Sequence, residues 1–148
     1  MATQANIKTN INSYIADSNH SDWIEGLLEA VKLEERFDWL ATKIILEYKG
    51  EKTGLAAWNY RKANFTNSAG VKATIPIFEH ILIMPKWQYT RVGVRLMLLM
   101  EETLRKMEYK QYISEINSNN WKMKKYAVKW GMKPYSENGD GVLYYKNL

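Results

Sequence analysis

The chain has 148 residues, 46% of them hydrophobic and 25% charged, with no cysteine and a formal net charge of +5. That length suits one domain, 1–148, with a buried core. The missing cysteine excludes disulfides, zinc–thiolate centres and a cysteine nucleophile, and no apolar run nears the ~20 residues of a membrane-spanning helix. The first thirteen residues hold no apolar signal core, so a cytoplasmic protein with no membrane partner is expected. The excess of cations fits either a lysine-rich solvated surface or an anion-binding one. Basic residues crowd 86–95 and 122–133.

Residues 1–18 are polar and aperiodic, and read as a loose lead-in with a short strand near 13–16. Ser21 reads as an N-cap, with Asp22 and Glu25 in the first turn, where the helix dipole favours negative charge. Trp23, Ile24, Leu27, Leu28, Val31 and Leu33 then recur at helical spacing as far as Arg36. The period changes to two at Thr42–Tyr48 (TKIILEY), a strand. Lys49, Gly50, Glu51 and Lys52 make a turn, and 54–61 (GLAAWNYR) is the return strand of a hairpin. Residues 64–70 read as a loop. The run 73–84 (ATIPIFEHILIM) has the continuous apolar character of a central strand covered on both faces, with Pro76 tolerable only near its start or at a bulge. A helix follows over 91–107, its stripe made by Val92, Leu96, Leu99, Met100, Leu104 and Met107. Residues 111–116 (QYISEI) form a strand. Asn120 caps a helix over Trp121–Lys129, which Gly131 ends as its C′ residue. Two short strands, 133–135 and 142–146, close the chain across the turn Asn138, Gly139, Asp140, Gly141. The mixture predicts an α/β or α+β fold around one sheet.

The segment 81–96 passes from strand to short loop to helix. The first amides of a helix have no acceptor behind them, and the dipole makes that end hospitable to anions. Gly93 permits close backbone approach, and Arg91 and Arg95 add charge-assisted donors. Physically this is either a phosphate site or an ordinary strand-to-helix turn carrying two solvated arginines.

The same segment resembles the coenzyme A signature of the GNAT superfamily of acetyl-CoA-dependent N-acetyltransferases. There an apolar strand leads into Val-x-Pro-x-x-Arg/Gln-x-x-Gly-x-Gly/Ala and a leucine-rich helix. Ile83, Pro85, Gln88 and Gly93 stand at matching places, with Leu96 following. Downstream the family has Asn-x-x-Ala and Tyr-x-x-x-Gly-Phe; Asn120, Met123, Gly131 and Met132 fall in register behind Ile116. The likeness runs from Trp39 to Leu148 and includes the upstream strand pair, with Gly54 opening the second strand, and the terminal hairpin. It implies a GNAT-like, mostly antiparallel sheet flanked by helices, with acetyl-CoA as co-substrate and no metal. Leu82, Ile83 and Met84 would meet the pantetheine arm through their main chain. Gln88, Tyr89, Thr90, Arg91, Val92, Gly93, Val94 and Arg95 would hold the pyrophosphate, and Asn120 would bond the amide region. Two positions depart from the pattern. The loop's first glycine is Arg91, and the tyrosine that often serves as general acid is Ala127. Tyr126 is its neighbour, about 100° away around the helix, and could stand in only in a locally irregular helix.

Amine attack on a thioester needs a general base within reach. Glu79, in the apolar run of the central strand, is the candidate; the alternative is an ion pair with Arg61 or Lys62. His80 points to the other face and reads as a core residue. Glu115 and Ser118 are placed to order a water, and Ser118 and Tyr126 complete the catalytic candidates. Tyr112, Trp39, Trp58 and Trp130 read as packing, as do Met97, Met100 and Met107. Trp87 and Trp121 either line the groove mouth or pack in the core, packing being the simpler reading. The expected activity is acyl transfer to a primary amine on a small molecule or protein, and a homodimer is compatible with it. The alternative is a GNAT-like protein that binds coenzyme A or a macromolecule without catalysis. A nucleic-acid module using 122–133, with Trp121, Tyr126 and Trp130 interleaved, is not expected, because that helix is needed to cover the sheet and no RNA-binding motif is present.

Overall fold

The computed structural model describes residues 10–62 and 74–148. The first nine lead-in residues and the loop expected at 64–70 lie outside these. Among the described residues, seven strands form one mixed, mostly antiparallel sheet with three α-helices, and the strand order is β1-β2-β3-β4-β5-β7-β6. The chain divides into two compact units. One holds Met1–Ala57 and His80–Met100; the other holds Trp58–Glu79 and Glu101–Leu148. No helix among the described residues is long and apolar enough to cross a membrane.

The first unit opens with β1 (Ile11–Ile15) and α1 (Ser21–Val31). Ser21 is not the cap. It already has helical backbone, and a short 3₁₀ turn, Ser18–His20, precedes it. Asp17 caps that turn: its carboxylate accepts from the Asn19 amide at 2.8 Å, while its own amide donates to His20 Nδ1 at 3.0 Å. Both donors are thereby satisfied reciprocally. The helix also stops earlier than its period implies. Lys32 turns left-handed at φ 53°, and the Leu33 amide reaches back to the Leu28 carbonyl at 3.2 Å. This closes the end as glycine usually does, and leaves 34–36 outside the helix.

Ile24 and Leu27 of α1 are buried against Ile45, Leu55, Ala57 and Leu82. Each leucine or isoleucine among them contributes about 1.5–3 kcal/mol by leaving water. β2 (Thr42–Tyr48) pairs antiparallel with β1, from Ile11↔Tyr48 to Ile15↔Ile44. Lys49 and Gly50, at φ 51° and 80°, make a two-residue turn into β3 (Glu51–Lys62). Two consecutive positive φ values are the mark of the tight hairpin turn. The return strand thus begins three residues before Gly54. Lys43 is buried, its ammonium donating to the Trp39 and Ala41 carbonyls at 2.8 and 2.7 Å, and burial lowers its pKa. Trp39 itself does not pack as expected. It is 42% exposed and meets the buried Phe37 edge-on.

β4 (Thr74–Ile83) carries Pro76 near its start, buried. The strand is less covered than its apolar run implies, since Glu79 is exposed and Phe78, His80 and Ile81 are half-buried. His80 stacks on Phe37 with centroids 5.9 Å apart. In the second unit β4 runs parallel to β5 (Gln111–Asn117), with register at Ile77↔Ile113 and Phe78↔Ser114. β5 pairs antiparallel with β7 (Gly141–Asn147), and β7 with β6 (Lys133–Asn138), which is irregular between Pro134 and Ser136. α2 (Val92–Lys106) buries Val92, Leu96, Met100 and Leu104. Met107, expected in that stripe, lies past the helix end and is exposed, and Met97 is half-buried. α3 (Trp121–Lys129) is capped by Asn120 as expected, and Gly131 follows it at φ 93°. Tyr112 and Trp58 are fully buried, in keeping with their packing role.

Candidate functional site

The loop between β4 and α2 belongs entirely to the first unit. Met84 is extended (φ −55°, ψ 138°), as a residue before proline must be, and Pro85 starts a 3₁₀ turn, Pro85–Trp87. The turn is pinned on several sides. The Trp87 amide donates to the Met84 carbonyl at 2.8 Å. The Trp87 indole N–H and the Lys86 ammonium both meet the Glu51 carboxylate, the latter at 2.9 Å. These donors, Lys86 first, hold the Glu51 carboxyl below its ordinary 4.5. Gln88 Nε2 donates to the Ile83 carbonyl at 3.2 Å. The left-handed residue of the loop is Tyr89, at φ 63°, and Arg91 lies outside that region. The family's first glycine position therefore makes no conformational demand here that arginine cannot meet.

Thr90 Oγ1 donates to the Trp87 carbonyl and accepts from the Val92 amide at 3.3 Å. Intrahelical bonding starts with the Arg95 amide on the Arg91 carbonyl at 3.0 Å. The first-turn amides of Gly93 and Val94 therefore have no helix carbonyl behind them, and they carry the positive end of the dipole. A Cβ on Gly93 would stand 3.2 Å from Ile83 Cδ1. Arg91 and Arg95 line a groove of about 210 Å³ together with Leu46, Tyr48 and Thr53.

The main chain of 82–84 is partly committed. The Met84 amide donates to the Thr53 carbonyl at 2.9 Å, and the Met84 and Ile83 carbonyls each already accept one hydrogen bond. Beside them Gly54 lies so close to β4 that a Cβ there would be 2.5 Å from the Leu82 carbonyl oxygen.

The remaining candidates lie in the second unit. Glu79 Oε1 accepts from Asn59 Nδ2 at 3.4 Å. Arg61 instead pairs with Glu115 at 2.9 Å, so the Glu79–Arg61 alternative is not realised and Glu115 already has a cation. Exposure also removes the desolvation cost that the apolar run implied for Glu79. Ser118 is half-buried after β5, its amide donating to the Asp140 carbonyl at 2.6 Å. The Asn120 side-chain oxygen accepts from the Met123 amide at 3.2 Å, leaving its NH₂ as the donor for any further contact. α3 is a continuous helix with Ala127 buried and Tyr126 exposed. No irregularity swings Tyr126 into the place of its neighbour.

Sequence reasoning overlooked the most elaborate polar centre of the second unit. The Glu101 carboxylate, 1% exposed, accepts from the Tyr112 hydroxyl at 2.7 Å, the Trp130 indole at 2.7 Å and the Lys146 ammonium at 2.8 Å. Burial, and then the hydrogen bond to Glu101, push the Tyr112 hydroxyl above its ordinary 10.0. The available signal was a carboxylate three residues before Leu104 on the buried side of α2.

No family model and no curated protein matches the chain. Solved structures do. Naa50 of Arabidopsis thaliana, in complex with the bisubstrate analogue CoA-Ac-MVNAL, has a TM-score of 0.70 at 11% identity, covering 94% of this chain and 99% of that one. A GNAT-family acetyltransferase of Listeria monocytogenes gives 0.71 at 14% identity, covering 93% and 95%. N-acetylglutamate synthase of Neisseria gonorrhoeae, complexed with coenzyme A and N-acetyl-glutamate, gives 0.68 at 17% identity, covering 93% of this chain and 35% of that one. The chain has the fold of the GNAT superfamily of acetyltransferases.

Proposed function

We propose that the protein, acting as one domain over 1–148, is an acyl-CoA-dependent N-acyltransferase that moves acetyl from acetyl-CoA to a primary amine. The observation that carries this reading is the strand–loop–helix of 82–95, whose first-turn amides have no helix carbonyl behind them and whose Arg91 and Arg95 line one groove. Solved structures of the same fold carry coenzyme A or a coenzyme A analogue. The amides of Gly93 and Val94 receive the pyrophosphate, supported by the loop from Gln88 to Val92. Leu82 and Ile83 offer main-chain groups to the pantetheine arm, and the Asn120 NH₂ donates to its amides. Glu79, alone or through a water ordered near Ser118, takes the proton of the attacking amine. The nitrogen adds to the thioester carbonyl, the C–S bond breaks, and the departing thiolate takes a proton from solvent, because Tyr126 points outward from α3. A cytoplasmic location fits such a co-substrate.

The second reading is a protein that binds coenzyme A without catalysis. Ala127 and the outward position of Tyr126 favour it. Thermal unfolding with and without acetyl-CoA tests both. At about 100 times the dissociation constant the ligand adds about 2.7 kcal/mol of stability, and Arg91→Ala should weaken binding by roughly tenfold, the loss of one charge-assisted hydrogen bond. An unshifted midpoint sinks both readings. If the midpoint moves, thiol release with candidate amines decides between them: turnover that Glu79→Gln abolishes supports transfer, and binding with no thiol release selects the second reading.

A further inference from the structure

The solvent face of α3 is not accounted for by the coenzyme site. Its inner side is anchored by buried Ala127, and the Trp130 indole beyond its end is committed to Glu101. On the opposite side Lys122, Lys125 and Lys129 fall within about 60° of arc at 100° per residue. Trp121 stands about 40° beyond one rim of this stripe and Tyr126 about 40° beyond the other. All five are exposed, Trp121 by 65% and Tyr126 by 68%. Among the described residues none of the three lysines forms an ion pair. No acidic residue occurs between Glu115 and Glu137.

This charge pattern works against the helix that carries it. The first turn has no acidic residue where the dipole favours one, and Lys125 and Lys129 repel at i, i+4. Helix stability therefore does not explain the choice of residues, and a polyanionic partner does. The aromatic rims narrow its chemistry. Cations alone suit any acidic surface, whereas cations between two exposed ring systems suit a chain of phosphates bearing flat, unstacked bases. Lys122 to Lys129 spans about 10 Å of helix axis, so one strand can set a phosphate against each of the three ammonium groups. We propose that this face of α3 binds single-stranded nucleic acid, with phosphates on Lys122, Lys125 and Lys129 and bases stacked on Trp121 and Tyr126. Covering the sheet and binding a strand are compatible, because the helix uses opposite sides for the two.

The test is anisotropy of a labelled single-stranded oligonucleotide of about twelve nucleotides, titrated with the full chain at several salt concentrations. Binding is expected, with log K falling against log[salt] at a slope of about −2, the value for three neutralised phosphates at ~0.7 each. Lys125→Ala should flatten the slope by about 0.7, and Trp121→Ala should weaken binding at least ~5-fold with the slope retained. Both side chains are exposed, so the thermal midpoints of these variants should match the parent. The double variant Arg91→Ala, Arg95→Ala should bind as the parent does. Absence of binding overturns the proposal. So does binding that survives both α3 substitutions, or that is lost in the double arginine variant, which would place the strand at the α2 loop. Polyglutamate binding equal to that of the oligonucleotide would assign the face to an acidic protein instead.

Discussion

At the scale of single residues, Asn120 and Glu101 differ in how far their roles could be foreseen. Asn120 caps α3 through an amide three residues away, and that rule is local enough to read directly. Glu101 binds Tyr112, Trp130 and Lys146, which are 11, 29 and 45 residues distant. No spacing rule joins four elements. The consequence is large, because removing one member of a buried charged network leaves the others without partners. Glu101→Ala should cost about 3 kcal/mol, read as a lowered urea midpoint with unchanged slope. Lys146 retains a route to solvent, its side chain being 21% exposed, which keeps the cost at the lower end for such losses. Glu79 shows the opposite error. Its neighbours in sequence implied burial, and its neighbours in space leave it exposed.

At the scale of elements, strand and helix existence followed from period and punctuation, while their ends depended on backbone details. Gly131 was readable as the end of α3, because glycine is the usual left-handed residue. Lys32 performs the same task for α1 with no compositional sign of it. Glycines also divide by packing. Gly54 sits where a Cβ would be 2.5 Å from the Leu82 carbonyl oxygen and 3.3 Å from Leu96 Cδ1, whereas a Cβ on Gly26 in α1 would meet nothing within 4 Å. Gly54→Ala should therefore destabilise by about 1–3 kcal/mol through overpacking. Gly26→Ala should stabilise by about 0.8 kcal/mol, the helix-propensity difference. Chemical denaturation of the two variants checks both signs. Equal effects would remove the close approach of β3 to β4 as the reason for Gly54.

At the scale of the whole molecule, stability should depend on alkaline pH. Tyr14 and Tyr112 are both pushed above the ordinary tyrosine value of 10.0, chiefly by burial and then by Glu47 and Glu101. As pH rises through 10.0 the unfolded tyrosines ionise and the folded ones keep their protons. The folded state then binds more protons, so stability is full below that value and falls above it. Lys43, whose pKa burial lowers, works in the other direction, so the comparison is made between variants. Tyr112→Phe should lose about 1 kcal/mol at about pH 8 with its hydrogen bond to Glu101, and should decline less than the parent between about pH 10 and about pH 11. Parallel declines would show that Tyr112 does not carry the slope. The division between sequence and tertiary structure follows from range. Period, caps, turn residues and the strand–loop–helix of 81–96 are contained within a few neighbouring residues, so the sequence by itself determined the order of elements and the mixed fold. Which side chains are covered, where β4 turns its carboxylate, how Glu101 is satisfied and which face of α3 remains open depend on residues brought together from distant parts of the chain. Burial and hydrogen bonding are set by those encounters, and only the tertiary structure decided them.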